Sequence, residues 1–209
     1  MKANRILVFI PVVLTLTWPP LRAGELCPTN RQHSCCLKSD SAAAFTDKSL
    51  YQVDSRWTTD AGKQIKLGEL RGKPQVVAMF FANCQYACPL IVNDMQRMEA
   101  ALTPAQRARV GFTLVSFDPK RDTAAALAEY RRVRNLGAER WTLLRGEPDA
   151  VQELAALLGV RYKQDVRGQF AHSNVITVLN PDGEIVRQQV GLSQDIQDTV
   201  RVLVKLIGN

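Results

Sequence analysis

The run QVVAMFF, Gln75 to Phe81, constrains the fold more than any other segment of the chain. It is apolar at almost every position and lacks the alternation of a half-buried strand, which is typical of a strand covered on both faces. A helix should follow it, because Pro89 suits a first helical position and apolar residues then recur at helical spacing. These residues are Ile91, Met95, Met98 and Leu102. A second apolar strand, Phe112 to Phe117, completes a predicted strand–helix–strand unit.

Two amphipathic helices are predicted after this unit. The first has Asp122 as its N-cap, ends at Gly137 and has three inward positions, Leu127, Tyr130 and Val133. The second, residues 148 to 159, has the inward positions Val151, Leu154 and Leu157. The arginines of the run Tyr130 to Arg134 are expected on the solvated face of the first helix.

The C-terminal part of the chain predicts a β-hairpin followed by a helix. Asn174 to Leu179 and Glu184 to Val190 have strand character, and the Asn-Pro-Asp-Gly between them suits a type I turn. Ser193 is a candidate cap for the last helix, whose inward residues would be Ile196, Val200, Leu203 and Ile207. This order of elements predicts an α/β fold with a small central sheet covered by helices on both faces.

Residues 1 to 23 have the order of a secretory signal: basic residues, the apolar stretch Ile6 to Trp18, and then PPLRAGE. The apolar stretch has 13 residues, whereas a membrane-spanning helix needs about 20. Cleavage is therefore favoured, and an uncleaved N-terminal anchor, the one route to membrane association, is the alternative. Export from a bacterial cytoplasm predicts a periplasmic protein. Residues 24 to 47 are expected to be a flexible tail, and 48 to 209 a single domain.

The formal net charge of +7 does not support nucleic-acid binding. Lys2, Arg5 and Arg22 lie in the first 23 residues, which contain no Asp or Glu, so the remainder carries +4. The chain also has no dense Lys/Arg tract interleaved with aromatic residues. We therefore expect no nucleic-acid partner.

The segment FFANCQYACP places Cys84 and Cys88 between the buried strand and the following helix. Free amides and the macrodipole at a helix N-terminus stabilise a thiolate, the form that attacks disulfides and binds metals. Three residues separate the cysteines, where a thioredoxin-type redox pair has two. This wider chelate can close as a disulfide or surround one ion. The pair predicts redox or metal chemistry, with a plain structural disulfide or two buried thiols as the alternative.

Two thiolates leave a metal site incomplete, and the chain has two histidines. His172, in FAHSNVITVL just before the first hairpin strand, lies at an edge that can approach the cysteine loop. Two thiolates and one imidazole suit copper best, as Cu(I) or Cu(II). Spacing alone leaves metal ligation and an ordinary half-buried histidine as equal alternatives.

Three motifs in this order resemble the SCO/SenC family over about residues 50 to 209: FFANCQYACP, VSFDPKRDT (115–123) and AHSNVITVLNPDG (171–183). The resemblance implies a thioredoxin-like, peroxiredoxin-related fold with a central mixed sheet flanked by helices. It also implies that Cys84, Cys88 and His172 bind copper, and that the protein supports assembly of the copper A centre of cytochrome c oxidase. Asp118 is carried over more weakly, because such a residue can also cap or brace a turn.

The sequence departs from the family pattern at two places. Ala82-Asn83 precedes the first cysteine where members usually carry an aromatic glycine-threonine or similar stretch, and Ala171 stands where an Asp commonly precedes the histidine. Neither change removes a ligand. The missing acid changes how the imidazole is oriented and how basic it is, so the metal affinity is expected to differ from the family norm.

The predicted function is an exported copper-binding protein that delivers copper to, or supports assembly of, the copper A centre. Its partner would be the copper-site subunit of cytochrome c oxidase or another copper or thiol protein. The alternative is an enzyme, a thiol-disulfide oxidoreductase that uses Cys84 and Cys88 to reduce target cysteines. A thiol peroxidase ranks last, because no Thr lies just upstream of Cys84.

The predicted tail contains four further possible soft-metal ligands: Cys27, His33, Cys35 and Cys36. They form either an auxiliary soft-metal site or a disulfide-tied extension.

Overall fold

A computed structural model describes residues 45–208, which belong to one compact unit, Ala42–Asn209. The predicted signal segment, 1–23, lies outside the described residues, as do Cys27, His33, Cys35 and Cys36 of the predicted tail. Within residues 45–208, no helix is long and apolar enough to cross a membrane.

A mixed sheet forms the centre of the domain, and it has seven strands within the described residues. The strands are β1 (Arg56–Thr59), β2 (Gln64–Lys66), β3 (Gln75–Phe80), β4 (Gly111–Ser116), β5 (Trp141–Gly146), β8 (Val175–Leu179) and β9 (Ile185–Val190). Their order is β2-β1-β5-β4-β3-β8-β9. Strands β3, β4 and β5 are parallel, while β8 is antiparallel to β3 and β1 is antiparallel to β5. Two short strands, β6 (Tyr162–Gln164) and β7 (Phe170–His172), pair with each other in a separate hairpin.

The helices of the described residues are α1 (Ala87–Ala101), α2 (Pro104–Arg107), α3 (Ala124–Arg134), α4 (Pro148–Leu157) and α5 (Gln197–Gly208). Strand β9 shows that helices cover both faces of the sheet, because adjacent side chains in a strand point to opposite faces. Arg187 donates a hydrogen bond to Thr199 of α5, whereas Gln188 donates to the carbonyl of Leu158 just after α4. The predicted α/β architecture is therefore confirmed, with a larger sheet than expected.

The core is formed by the segments whose apolar pattern was clearest. Strands β3 and β4 are buried at every position, and the predicted stripe of α1 is buried along its whole length. Helix α1 begins at Ala87 rather than at Pro89, so Cys88 lies in its first turn. The hairpin of β8 and β9 is also confirmed, and its turn is closed by a hydrogen bond from the Gly183 amide to the Asn180 carbonyl.

Several predicted helix boundaries are wrong. The N-cap of α3 is Thr123, whose hydroxyl accepts a hydrogen bond from the Ala126 amide, and the helix ends at Arg134 before a left-handed Asn135 rather than at Gly137. Ser193 does not cap α5, because that helix begins at Gln197, whose amide donates to the Asp195 carboxylate.

Three predicted exposures are also wrong. Val133 and Leu157, expected to point inward, are exposed, and Leu158 is buried in place of Leu157. Arg131, expected on a solvated face, instead forms a half-buried ion pair with Asp60 and donates to the carbonyl of Trp141. A helical pattern identifies an apolar face but does not show which of its turns the neighbouring elements cover.

Candidate metal centre

Three separate segments meet at one edge of the sheet because of the strand order. Strands β3 and β4 are parallel, so the cysteine loop that follows β3 lies beside the turn 118–122 that follows β4. Strand β8 is antiparallel to β3, so the segment that precedes β8 and contains His172 reaches the same edge. The topology thus brings Cys88 next to a histidine 84 residues away in sequence.

The structure brings together the three residues that the sequence singled out. The ligand atoms of Cys84, Cys88 and His172 all lie within 4.8 Å of one another, and they are the only such group of three or more His, Cys, Asp or Glu in residues 45–208. The Sγ of Cys88 is 3.6 Å from the Nε2 of His172. Both cysteines are free thiols, Cys84 partly exposed and Cys88 buried.

The sulfur of Cys84 accepts a hydrogen bond at the N-terminus of α1. The N-cap residue, Tyr86, makes no side-chain capping hydrogen bond. Instead, the amide of Cys88 donates to the Sγ of Cys84 at 3.3 Å, while the amide of Cys84 donates to the carbonyl of Phe81 at 3.1 Å. One sulfur therefore sits over the helix N-terminus, where free amides point outward, and the other lies inside the first turn.

The imidazole of His172 is oriented by its own backbone and by an aromatic wall. Its Nδ1 lies 3.1 Å from the carbonyl of Ser173, which can only accept, so the hydrogen bond assigns the proton to Nδ1 and leaves Nε2 free to bind a metal. The ring packs against Phe117 and Phe81, with centroid separations of 5.0 and 6.3 Å. Burial lowers the pKa of His172, although the Ser173 carbonyl opposes this effect, so the imidazole is neutral at neutral pH.

The two thiols differ in their electrostatic surroundings. Burial raises the pKa of the Cys88 thiol; a hydrogen bond with the Phe81 backbone opposes this effect, and a weaker hydrogen bond with Cys84 adds to it. Burial of the Cys88 sulfur therefore opposes the thiolate that the helix N-terminus was expected to favour at both positions. Metal binding at this site must release the Cys88 proton.

The turn after β4 contains two aspartates, and one of them has a different role from the predicted one. The carboxylate of Asp118 pairs with Arg121, outside the Cys84–Cys88–His172 group. Asp122, expected to cap α3, is buried, and its carboxylate accepts hydrogen bonds from the Ala82 amide at 3.0 Å and from the Ser116 hydroxyl. Burial raises the pKa of Asp122. The sequence signal for a role of this turn near the cysteines was its position, directly after a buried strand that the structure shows to be parallel to β3.

Two sulfurs and one imidazole nitrogen around a single point form a site for a soft metal ion. The same two sulfurs can also close into a disulfide, which removes both thiolate ligands. A helix-flanked mixed sheet with a Cys-x3-Cys loop at a helix N-terminus and a histidine opposite defines a thioredoxin-like protein with a thiolate–imidazole site.

The SCO1/SenC family model matches residues 45–208, which is the whole described part of the chain. The chain belongs to the SCO1/SenC family.

Relatives and solved structures agree with this assignment. The chain is 24% identical over 142 residues to the SCO1 protein homolog of Bacillus subtilis (strain 168), covering 66% of this chain and 73% of the relative. The crystal structure of Arabidopsis thaliana ScoI with copper bound matches with a TM-score of 0.62 and 22% identity, over 74% of this chain and 96% of that one. A structure of BsSco matches with a TM-score of 0.62 and 23% identity, over 75% of this chain and 95% of that one. BsSco is a member of the Sco family of cytochrome c oxidase assembly proteins, and a disulfide switch was identified in it. The likeness to these structures confirms the thioredoxin-like fold.

Proposed function

We propose that this protein binds one copper ion through Cys84, Cys88 and His172, and that it delivers copper to, or supports assembly of, the copper A centre of cytochrome c oxidase. The observation that carries the proposal is the convergence of two thiol sulfurs and one imidazole nitrogen within 4.8 Å at a sheet edge. Copper prefers this combination of soft sulfur and nitrogen ligands. Copper is bound in the similar ScoI structure of Arabidopsis thaliana.

The geometry supports a site that both binds and releases its ion. Cys84 is partly exposed, so a partner's ligands can reach the metal from that side. Cys88 is buried and lies beside His172, so it holds the ion from the protein side. Binding displaces the thiol protons, and a partner with better ligands then takes the ion. Exchange with a partner's disulfide, which takes up the two electrons and two protons and becomes two thiols, would close Cys84 and Cys88 as a disulfide and abolish binding.

The proposed cellular setting follows from the N-terminal segment and the family. We propose that residues 1 to 23 direct export to the periplasm, where the domain is either released or held by an uncleaved anchor. The partner would be the copper-site subunit of the oxidase or another copper or thiol protein. The BsSco structure supports the first choice, since that protein is a member of a family of cytochrome c oxidase assembly proteins.

An anaerobic copper titration tests the ligand set. The chain has five cysteines, so the titration uses a variant in which Cys27, Cys35 and Cys36 are serine and only the two loop thiols remain. We expect one ion per chain, held more than about 100-fold more weakly after His172→Ala, because even residues that only orient a ligand change metal affinity 10- to 100-fold.

The matched control is His33→Ala, which removes the chain's other histidine. It should leave the affinity unchanged. An unchanged affinity after His172→Ala would remove His172 from the site.

The second candidate function is a thiol-disulfide oxidoreductase. The observation that favours it is the pairing of an accessible Cys84 with a buried Cys88, as in a pair whose first thiol attacks a target and whose second resolves the mixed disulfide. Measuring the reduction potential and the rate of insulin reduction, with and without His172, separates the two functions. Fast turnover that is independent of His172 would favour the enzyme.

A further inference from the structure

His172 lies on a hairpin that stands apart from the central sheet. The hairpin, β6 and β7, pairs Tyr162 with His172 and Gln164 with Phe170. Its tip is closed internally, because the Asp165 carboxylate accepts hydrogen bonds from the amides of Arg167 and Gln169. The main sheet therefore does not by itself determine where the imidazole lies relative to the cysteine loop.

One side chain links this hairpin to the cysteine side of the site. The guanidinium of Arg121 donates to the carbonyl of Gly168 and forms an ion pair with the Asp118 carboxylate. It also lies over the rings of Phe81 and Phe170, 5.9 and 5.8 Å from their centroids. Apart from the contacts of His172 with Cys88 and with its neighbour Ser173, this is the only hydrogen bond that joins residues 162–172 to the rest of the described residues.

The other end of this link is fixed. Asp118 is buried, its amide donates to the Ser116 hydroxyl at 2.9 Å, and its carbonyl accepts from the Asp122 amide at 2.9 Å. The Asp122 carboxylate in turn accepts from the amide of Ala82, two residues before Cys84. One five-residue turn, 118–122, thus contacts the beginning of the cysteine loop and, through Arg121, the hairpin that carries the histidine.

We propose that Arg121 is a positioning residue that holds His172 in register with Cys84 and Cys88; this rests on the proposed copper site. The remaining contacts of the hairpin are mainly aromatic, such as Phe117 with Tyr162 and with Phe170. Such ring contacts are less directional than charged hydrogen bonds, so they bury the hairpin but fix its position along the site less tightly. Arg121 supplies that direction, because two different nitrogens of its rigid, charged guanidinium bond Asp118 and the Gly168 carbonyl.

A double-mutant cycle tests this role. Copper affinity is measured anaerobically for Arg121→Met in two backgrounds, with His172 present and with His172→Ala. We expect Arg121→Met to weaken binding about 10- to 100-fold when His172 is present, the range typical of residues that orient a ligand. When His172 is absent, the same substitution should have almost no further effect, because there is no imidazole left to position.

Two further variants separate positioning from charge and from folding. Arg167→Met removes an exposed cation from the same hairpin, and its side chain makes no ion pair or hydrogen bond within residues 45–208, so copper affinity should not change. Arg121→Lys keeps the charge beside Asp118 but loses the planar fork, and it should restore only part of the affinity.

Hydrogen exchange of the metal-free protein gives a readout that does not depend on copper. In Arg121→Met, amides of 162–172 should exchange faster, while those of β3 and β4 stay protected and the protein stays folded. Equal losses of copper affinity in both His172 backgrounds, or unchanged affinity and unchanged exchange, would overturn the positioning role. If His172→Ala itself leaves copper affinity intact, the proposed ligand set fails, and the exchange measurement still decides whether Arg121 holds the hairpin.

Discussion

Cys84 and Cys88 are only four positions apart, but their burial predicts very different reactivity. Cys88 is 0% exposed, whereas Cys84 is partly exposed. Alkylation requires a thiolate that the reagent can reach. In a chain whose three tail cysteines are serine, Cys88→Ser leaves the accessible thiol and Cys84→Ser leaves the buried one. The first variant should react much faster.

Two effects of burial set the size of this difference. Burial raises the pKa of Cys88, and the thiolate fraction at neutral pH falls about tenfold for every unit by which a thiol pKa rises. The reagent also reaches the Cys88 sulfur only when the first turn of α1 or the β6–β7 hairpin opens, which adds the free energy of that local opening. We therefore expect Cys84 to react at least about 100-fold faster than Cys88.

The assay is alkylation by iodoacetamide at pH 7 under anaerobic, metal-free conditions, followed by mass spectrometry over time. In guanidinium chloride the two variants should react at similar rates, because unfolding exposes both sulfurs. Rates within tenfold of each other in the folded protein would refute the reasoning. A faster reaction at Cys88 would reverse the assignment of the accessible thiol, and with it the order of attack in the oxidoreductase alternative.

Three other predictions concern stability and pH. Gly183→Ala should destabilise the fold by about 2–4 kcal/mol, because φ is +87° and the new Cβ would lie 2.5 Å from the buried Tyr51 ring. Gly62→Ala, at φ +79° in open space, should cost about 1–2 kcal/mol, and equal costs in urea unfolding would contradict this. Because burial raises the pKa of Asp122, the folded state binds its proton more tightly, so wild type should lose stability relative to Asp122→Asn as pH rises from about 4; a difference that is constant with pH would exclude the shift. Copper affinity should rise about tenfold per pH unit near neutrality for each proton displaced, since the Cys88 pKa is raised, and a pH-independent affinity would contradict that proton release.

The sequence predicted the elements whose burial is complete. A continuous apolar run such as Val76 to Phe80 can only be accommodated between two covered faces, so β3 was predictable from composition alone. The stripe from Ile91 to Leu102 was equally clear, because its spacing matches a helix with one buried side. The Asn-Pro-Asp-Gly turn marked the last hairpin.

Other elements were not predictable because their environment comes from distant parts of the chain. Strand β5, Trp141–Gly146, has two half-buried positions and neither a continuous apolar run nor a regular alternation. Asp122 had the residue type of a helix cap, but Ser116 and the Ala82 amide provide a better set of partners for its carboxylate. Local pattern alone does not reveal such partners, because their positions depend on the pairing of β3 with β4.

By itself, the sequence determined the kinds of ligand and the local setting of the cysteines, since a thiol placed between a strand and a helix depends on near neighbours alone. It also identified the family through three motifs in order. Only the tertiary structure decided that Cys88 and His172 lie 3.6 Å apart, that Cys84 is accessible while Cys88 is buried, and that Arg121 joins the two halves of the site. The physical reason is that these properties depend on parallel β3 and β4 and antiparallel β8, which place three distant loops at one edge of the sheet.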